Sequence, residues 1–432
     1  MTETRQVDIN VPVLARVEGE GALEVAAEDG HITDLRLRIY EPPRLFERFL
    51  EGRAYHEVPD TVARICGICP VAYQMSAVAA LEQAFGVDPG DWVRRMRRVF
   101  YCGEWLQSHA LHIHLLAAPD FFGYDSALGM AADYPEEVRR GMRLQALGND
   151  VMALFGGRAV HPVGARVGGF HRAPDPEDVA ALRERLAAAV DEAAELVRWV
   201  AGIPVPDQAQ GFTSVALRSG TDYPMNHGHL AASNGLAFGI DELDDHIAEE
   251  QAPHSTAFHA RLHGEPYLVG PLARLNLNAD MLPAESRALL AEVGPELPST
   301  NPFHSMLARA LECHAAAVEA ARLLAGYEAP ERPYAEVTPR AGEGFGATEA
   351  PRGVLWHHYT TDDAGRITGA RIIPPTSQNQ ARIEDDLRRT IEARGLDTPD
   401  DELRALGEQV IRNYDPCISC ATHFLDLTVR RA

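Results

Sequence analysis

RICGICP (residues 64–70), near one end of the chain, and DPCISCATH (residues 415–423), near the other, each carry a Cys-x-x-Cys pair. How these two stretches are read decides the fold. Thiolates are soft ligands, so four of them suit a soft or borderline metal ion. Structural zinc modules use the same pairs, but with about 12–20 residues between them. Here almost the entire chain separates Cys69 from Cys417. A thioredoxin-like redox pair would explain one motif and leave the other idle. A single site using Cys66, Cys69, Cys417 and Cys420 would tie both chain ends into one unit. The two remaining cysteines, Cys102 and Cys313, stand in helical patterns and read as small buried apolar residues.

Composition narrows the field further. The chain has 432 residues, 46% of them apolar, enough for a sizeable core. Its formal charge of −23 opposes docking on a phosphate backbone or an anionic membrane surface, so no nucleic-acid partner is expected. All forty basic residues are arginine. Walker-type phosphate binding and Schiff-base chemistry need a lysine and are excluded. No uncharged apolar run is long enough to span a bilayer, and the first residues, MTETRQVDIN, lack the apolar core of a signal peptide. A cytoplasmic location is expected.

The first forty residues read as strands, with an Asp-Gly turn inside GALEVAAEDGHITDLRLRIY. Helical periodicity then dominates over 71–85, 92–117, 135–155 and 305–324. The segment DPEDVAALRERLAAAVDEAAELVRWVAG has an acidic first turn and a glycine stop. Residues 204–302 mix Gly, Pro and His without a clear period. GVLWHHYTTDDAGRITGARII reads as a hairpin, which places Arg352, just before it, beside Thr376, just after it. A last helix over roughly 400–412 delivers the chain to the second cysteine pair. The expected architecture is mainly α with smaller β regions (α+β). It has an N-terminal β region (1–40), a mainly helical body (41–345), a β hairpin (346–378) and a C-terminal helical segment (379–423), all in one domain spanning 1–432.

Together the two motifs resemble those of the large, catalytic subunit of [NiFe] hydrogenases, which read R-x-C-G-x-C and D-P-C-x-x-C-x-x-H/R near opposite chain ends. Other stretches are similar as well. ARVEGEG resembles the family's R-[IV]-E-G element, with Glu18 as its glutamate. LFERFLEGRAYHEVPDTVARICG resembles the segment leading into the first motif, with Glu47 at its acidic position. GGRAVHPVGARVGGF, TEAPRGVLWH (Arg352) and IIPPTSQN (Thr376) resemble three further elements. Tyr73 departs from the family pattern, which often has His there. The form CGICPVAYQ resembles the cytoplasmic, multi-subunit, NADP-linked branch called sulfhydrogenases.

The resemblance implies the family fold, with a central helical bundle and peripheral hairpins, and a function in H2 cleavage and formation. It implies a Ni–Fe centre with carbon monoxide and cyanide on the iron. Cys66 and Cys417 would be terminal nickel ligands, while Cys69 and Cys420 would bridge the metals. Cys417 would be the first base and Glu18 the carboxylate that takes its proton. Arg352 and Thr376 would face the cyanides, with Asp120 and Asp415 as further carboxylates of the site. Glu47, the Ile372 backbone carbonyl and His423 would hold a magnesium-type ion. Expected partners are a small Fe–S subunit, together with flavin and Fe–S diaphorase-type subunits that bind NADP(H), because two spare cysteines cannot hold a four-thiolate Fe–S cluster and no dinucleotide fingerprint occurs. A maturation endopeptidase would cut between His423 and Phe424. A cysteine-free relative such as the quinone-site subunit of respiratory complex I, or a structural zinc protein, is the alternative. His109, His112 and His114 read as ordinary packed histidines, because no further ligand accompanies them.

Overall fold

A computed structural model describes residues 7–28 and 31–422 of the chain. Five long helices make its body: Pro70–Phe85, Asp91–Leu111, Pro135–Gly156, Pro176–Ala201 and Ser305–Leu324. Three of them open on proline, where the missing N–H removes a donor that has no intrahelical partner anyway. Asp175 caps the fourth by accepting from the Glu177 N–H at 2.9 Å. The helix Asp91–Leu111 packs against Pro135–Gly156 and against Ser305–Leu324, which in turn packs on Pro176–Ala201. Pro70–Phe85 is buried on almost every side, so it shows little amphipathic contrast.

The helix expected over 92–117 departs from regularity. α-Helical turns end at Leu111, His112–Ala117 winds as a π-helix, and α geometry resumes at Ala118–Phe122. Such bulges re-aim side chains and often sit at functional sites. Here the bulge sets His112 Nε2 at 2.8 Å from the Arg412 carbonyl.

Strands Val7–Val11, Gly21–Glu28 and His31–Ile39 form an antiparallel meander, as the sequence suggests. The hairpin expected over 346–378 is part of a larger meander. A strand Gly342–Ala350 precedes the pair Gly353–Thr361 and Ile367–Ile373, and a helix starts at Pro375. The extra strand escaped notice because its sequence, GEGFGATEA, is poor in β-formers. Its glycines have a steric cause. A Cβ on Gly342, Gly344 or Gly346 would lie 2.8, 2.0 or 2.1 Å from the carbonyls of Ala84, Ala80 and Ser76. Two residues of strand rise about 6.6 Å and four of helix about 6 Å, so the glycine and carbonyl repeats stay in step. The strand thereby seats directly on the helix that follows Cys69.

The expected helical body over 41–345 is also interrupted. Residues 204–302 include a four-stranded sheet built from Tyr267–Leu268, Thr213–Arg218, His229–Ala232 and Ala237–Phe238. They also include a hairpin, Ile247–Gln251 with Phe258–Leu262, and helices Pro271–Asn278 and Ala284–Val293. Helices Pro375–Arg394 and Asp400–Tyr414 pack against each other and on the N-terminal meander. Among the described residues no helix is long and apolar enough to cross a membrane.

Candidate metal centre

The two cysteine pairs meet. All four sulfurs lie within 4.8 Å of one another, and all four residues are buried. Cys66 Sγ is 3.4 Å from Cys417 Sγ, and Cys69 Sγ is 3.6 Å from Cys420 Sγ. Metal–thiolate bonds of about 2.3 Å place sulfurs roughly 3.3–4.6 Å apart in tetrahedral or square arrangements. Both separations between the motifs fall in that range, while Cys417 Sγ and Cys420 Sγ, at 2.7 Å, stand closer than two ligands of one metal and would move apart around an ion.

Local structure fixes each pair. Cys69 precedes the N-terminus of the helix Pro70–Phe85, where the helix dipole favours negative charge. The backbone N–H groups of Ile68 and Cys69 point at Cys66 Sγ, at 3.3 and 3.4 Å. Glu104 accepts from the N–H groups of Val71 and Ala72, at 2.6 and 3.1 Å, which satisfies the exposed end of that helix. The second pair follows Asp415, which caps the helix Asp400–Tyr414 in a left-handed conformation at φ 55°. Aspartate tolerates that region better than most residues. The turn redirects the chain so that Ile418 N–H bonds to the Glu18 carbonyl at 2.9 Å. Gly19 permits the contact, because a Cβ there would lie 2.6 Å from Ile418 Cβ.

Arg44 joins the two motifs. Its Nη2 donates to the Ile65 carbonyl at 2.6 Å and to the Ser419 carbonyl, while its backbone N–H reaches the Thr422 carbonyl at 2.7 Å. No signal in the sequence singled it out, since its partners are backbone atoms at both chain ends.

Electrostatics around the sulfurs call for a cation. Hydrogen bonds from the other thiols, Cys417 first, hold Cys66 well below the usual thiol range, helped by the Arg352 charge. Burial pushes Cys417 and Cys420 the other way. Four thiolates can coexist here only around bound positive charge. Arg352 is buried and fixed by Asp415: its Nε donates to the Asp415 carbonyl at 2.7 Å and its Nη2 to Oδ1 at 3.0 Å. Its Nη1 is buried without a hydrogen-bond partner among the described residues. Burial alone would lower its pKa, but Asp415 and the cysteines raise it, so it stays cationic. A four-sulfur donor set beneath an unspent guanidinium donor fits a thiolate-held metal pair carrying anionic ligands.

Other expected residues are placed as follows. The Glu18 Oε2 lies 3.2 Å from Cys417 Sγ and accepts from the Ser419 N–H at 3.0 Å. Thr376 Oγ1 accepts from the Cys417 N–H at 3.1 Å, and the cysteines raise the pKa of Arg352, so both residues stand beside the cluster. Asp120 has different company: Arg412 grips its carboxylate at 2.7 and 2.9 Å, and Arg16 pairs with it as well. These residues line a cavity of about 900 Å³. Glu47 Oε1 accepts from the Ile372 N–H at 2.7 Å. His423 lies outside the described residues. His109, His112 and His114 diverge to Glu312, the Arg412 carbonyl and the Ala110 carbonyl, and burial holds them at about 4, 3 and 3, so they share no ligand and are neutral at neutral pH.

Two carboxylates escaped the sequence reading. Glu41 Oε1 accepts from the Ser419 hydroxyl at 2.9 Å. Glu249, from the unparsed middle region, accepts from the Ser377 hydroxyl at 3.2 Å and stands close enough to Glu47 to raise its pKa.

Comparison with known proteins decides the family. The profile described as "Nickel-dependent hydrogenase" matches residues 44–140 and 242–423, which contain both cysteine pairs. The chain belongs to the nickel-dependent hydrogenase family. It is the large, catalytic subunit of a [NiFe] hydrogenase, with its four cysteines clustered for the Ni–Fe centre. This hydrogenase chain is 35% identical over 421 residues to the alpha subunit of sulfhydrogenase 2 from Pyrococcus furiosus, covering 97% of this chain and 100% of the relative. The alpha subunit of sulfhydrogenase 1 from the same organism is also 35% identical, over 423 residues, covering 97% and 98%. The fold matches the crystal structure of an NAD+-reducing [NiFe]-hydrogenase in the H2-reduced state with a TM-score of 0.88, at 29% identity over 96% of this chain and 99% of that one. The Ni-Fe-Se hydrogenase of D. vulgaris Hildenborough matches with a TM-score of 0.79 at 26% identity, covering 97% and 100%.

Proposed function

We propose that this protein cleaves and forms H2 heterolytically, with Cys417 and Glu18 as its proton-handling pair. The observation that carries the proposal is the 3.2 Å contact between the Cys417 sulfur and Glu18 Oε2. When bound, the Ni–Fe pair with its carbon monoxide and cyanide ligands supplies Lewis-acid polarisation of H2 and an acceptor for its electrons. Cys66, Cys69, Cys417 and Cys420 would hold that pair, Cys66 and Cys417 as ligands of nickel alone and Cys69 and Cys420 as ligands shared with iron. The Cys417 sulfur takes the proton and passes it to Glu18. Burial raises the pKa of Glu18, which brings the carboxylate nearer to a proton carrier's working range. Glu41, bonded to the Ser419 hydroxyl, is the next carboxylate outward.

Arg352, whose Nη1 has no partner among the described residues, would donate to the iron's cyanides, and Asp415 would act by holding that guanidinium in place. Thr376 accepts from the Cys417 N–H, which orients that backbone, and its hydroxyl proton would be left to donate to the second cyanide. Asp120 positions Arg412, whose carbonyl meets His112 and the Asp415 N–H. Glu47 and Glu249 supply the negative charge of a magnesium-type site with the Ile372 carbonyl and His423, since hard divalent ions prefer oxygen ligands.

The chain works as a single unit, because its centre draws on both ends. Electrons leave first through a small Fe–S subunit. As the NAD+-reducing relative suggests, they continue through flavin and Fe–S subunits that reduce NAD(P) in the cytoplasm. An endopeptidase removes residues 424–432 during maturation, and the intact mass of the active enzyme reports this directly. Cys417→Ser is the decisive variant: H2 uptake falls to background, and retained uptake overturns the assignment.

A further inference from the structure

Away from the cysteines, two imidazoles converge on one carboxylate. His254 Nε2 lies 2.8 Å from Glu384 Oε1, and His259 Nε2 lies 3.3 Å from Glu384 Oε2. The three donor atoms lie within 4.8 Å of one another. His254 comes from the turn of the hairpin Ile247–Gln251/Phe258–Leu262 and His259 from its second strand, while Glu384 sits on the helix Pro375–Arg394. We infer that His254, His259 and Glu384 form a second metal site, for a divalent ion of the zinc type held by two imidazoles and one carboxylate.

Three observations carry this inference. The first is the donor set, because imidazole with carboxylate suits zinc and its neighbours, and three protein ligands leave a fourth position for water. Metal–ligand bonds of about 2.0–2.1 Å place tetrahedral donors roughly 3.3 Å apart, close to the spacing seen here. The second is preorganisation. The turn is tied down by Thr256, whose N–H reaches the Ile39 carbonyl at 2.8 Å and whose hydroxyl reaches the Glu41 carbonyl at 2.9 Å. Glu384 is oriented by the Leu37 N–H, which bonds Oε1 at 2.9 Å and leaves Oε2 facing His259, a contact of the kind that fixes metal-binding carboxylates. The third is burial. His259 is only 2% exposed, so the Nε2 that faces Glu384 is held out of bulk water.

An ion there staples three parts of the fold: the hairpin, the N-terminal meander through Leu37, and the helix whose first turn carries Thr376. Glu384 lies eight residues beyond Thr376, about 12 Å along the axis, so the site is separate from the cysteine cluster.

The test uses mature enzyme that already contains its Ni–Fe centre. The protein is stripped with a mild chelator, equilibrated with zinc, and its metals are counted. One zinc per chain is expected beyond the nickel and iron. His254→Ala and Glu384→Gln weaken its binding at least roughly tenfold while far-UV circular dichroism stays unchanged. Cobalt in place of zinc gives ligand-field bands of nitrogen and oxygen ligation without thiolate charge transfer. Should Glu384→Gln misfold because the amide cannot face Leu37 and both imidazoles at once, His254→Ala decides alone. Wild-type enzyme with no additional zinc reduces the trio to hydrogen bonding and overturns the inference, as does zinc fully retained in His254→Ala.

Discussion

Glu18 and Cys417, 399 residues apart in the chain, are joined twice: by a parallel backbone bridge and by a 3.2 Å contact between carboxylate and sulfur. The backbone bridge means the side-chain contact does not depend on a flexible reach. Glu18→Gln keeps the size and one hydrogen-bonding oxygen but cannot carry the proton. H2 uptake and H/D exchange are expected to fall by about 10²–10⁴-fold, the usual worth of a positioned acid–base group, with metal content unchanged. Wild-type exchange rates in this variant would remove Glu18 from the proton route.

Arg352 makes two bonds to Asp415 and keeps a third donor, Nη1, without a partner among the described residues. Lysine offers a point charge without the fork, so Arg352→Lys is expected to fold, load metal and lose most of its turnover. Arg352→Ala leaves Asp415 buried without its partner and costs about 3–5 kcal/mol of stability. Comparing thermal unfolding with turnover for the two variants separates the roles. Equal instability in both would count against a part in catalysis.

Glu47 and Glu249 are each held up to about 7, mainly by burial, against an ordinary value of 4.5. A raised folded-state pKa means the native form binds these protons more tightly than the unfolded chain does. Their contribution is therefore full below pH 4.5 and is lost as pH rises toward about 7. A bound divalent cation favours the ionised pair and opposes that loss. Magnesium is expected to raise the melting temperature more at about pH 8 than at about pH 5, and Glu249→Gln to shrink the difference. A magnesium effect independent of pH contradicts the shared site.

Tyr73 replaces the histidine common at its position in the family. It is buried, and after burial itself the Cys420 and Cys69 thiolates are the main influences raising its pKa, so it stays neutral beside those two sulfurs. Tyr73→Phe removes the hydroxyl while conserving the packing against His357. The expected result is a shift of the iron-ligand infrared bands with metal content retained. Identical bands in both proteins would show that the hydroxyl does not touch the centre's electronics.

The parts of the molecule legible in the sequence are those where one residue type has few alternatives. Two thiol pairs at opposite chain ends, long amphipathic helices and the Asp-Gly hairpin near residue 30 each have a local signature. The hairpin placed Arg352 beside Thr376, and the family resemblance placed them both at the cysteine centre. What stayed hidden depends on contacts between distant segments. Arg44 acts through backbone carbonyls at 65 and 419, Glu249 gains meaning only beside Glu47, and the strand at 342–350 is stabilised by close seating on a helix rather than by β-propensity. Asp120 shows the converse case. The resemblance assigned it to the surroundings of the centre, and its contacts are with Arg16 and Arg412, the latter bonded through its carbonyl to the Asp415 N–H.

The central claim is a Ni–Fe centre held by Cys66, Cys69, Cys417 and Cys420. Infrared spectroscopy of the purified complex, read beside its metal content, tests it most directly. The account predicts one nickel and one iron per chain in the four-cysteine site, with carbon monoxide and cyanide stretches that disappear in Cys417→Ser. Zinc alone in that site, with no such bands in the wild-type protein, would contradict it.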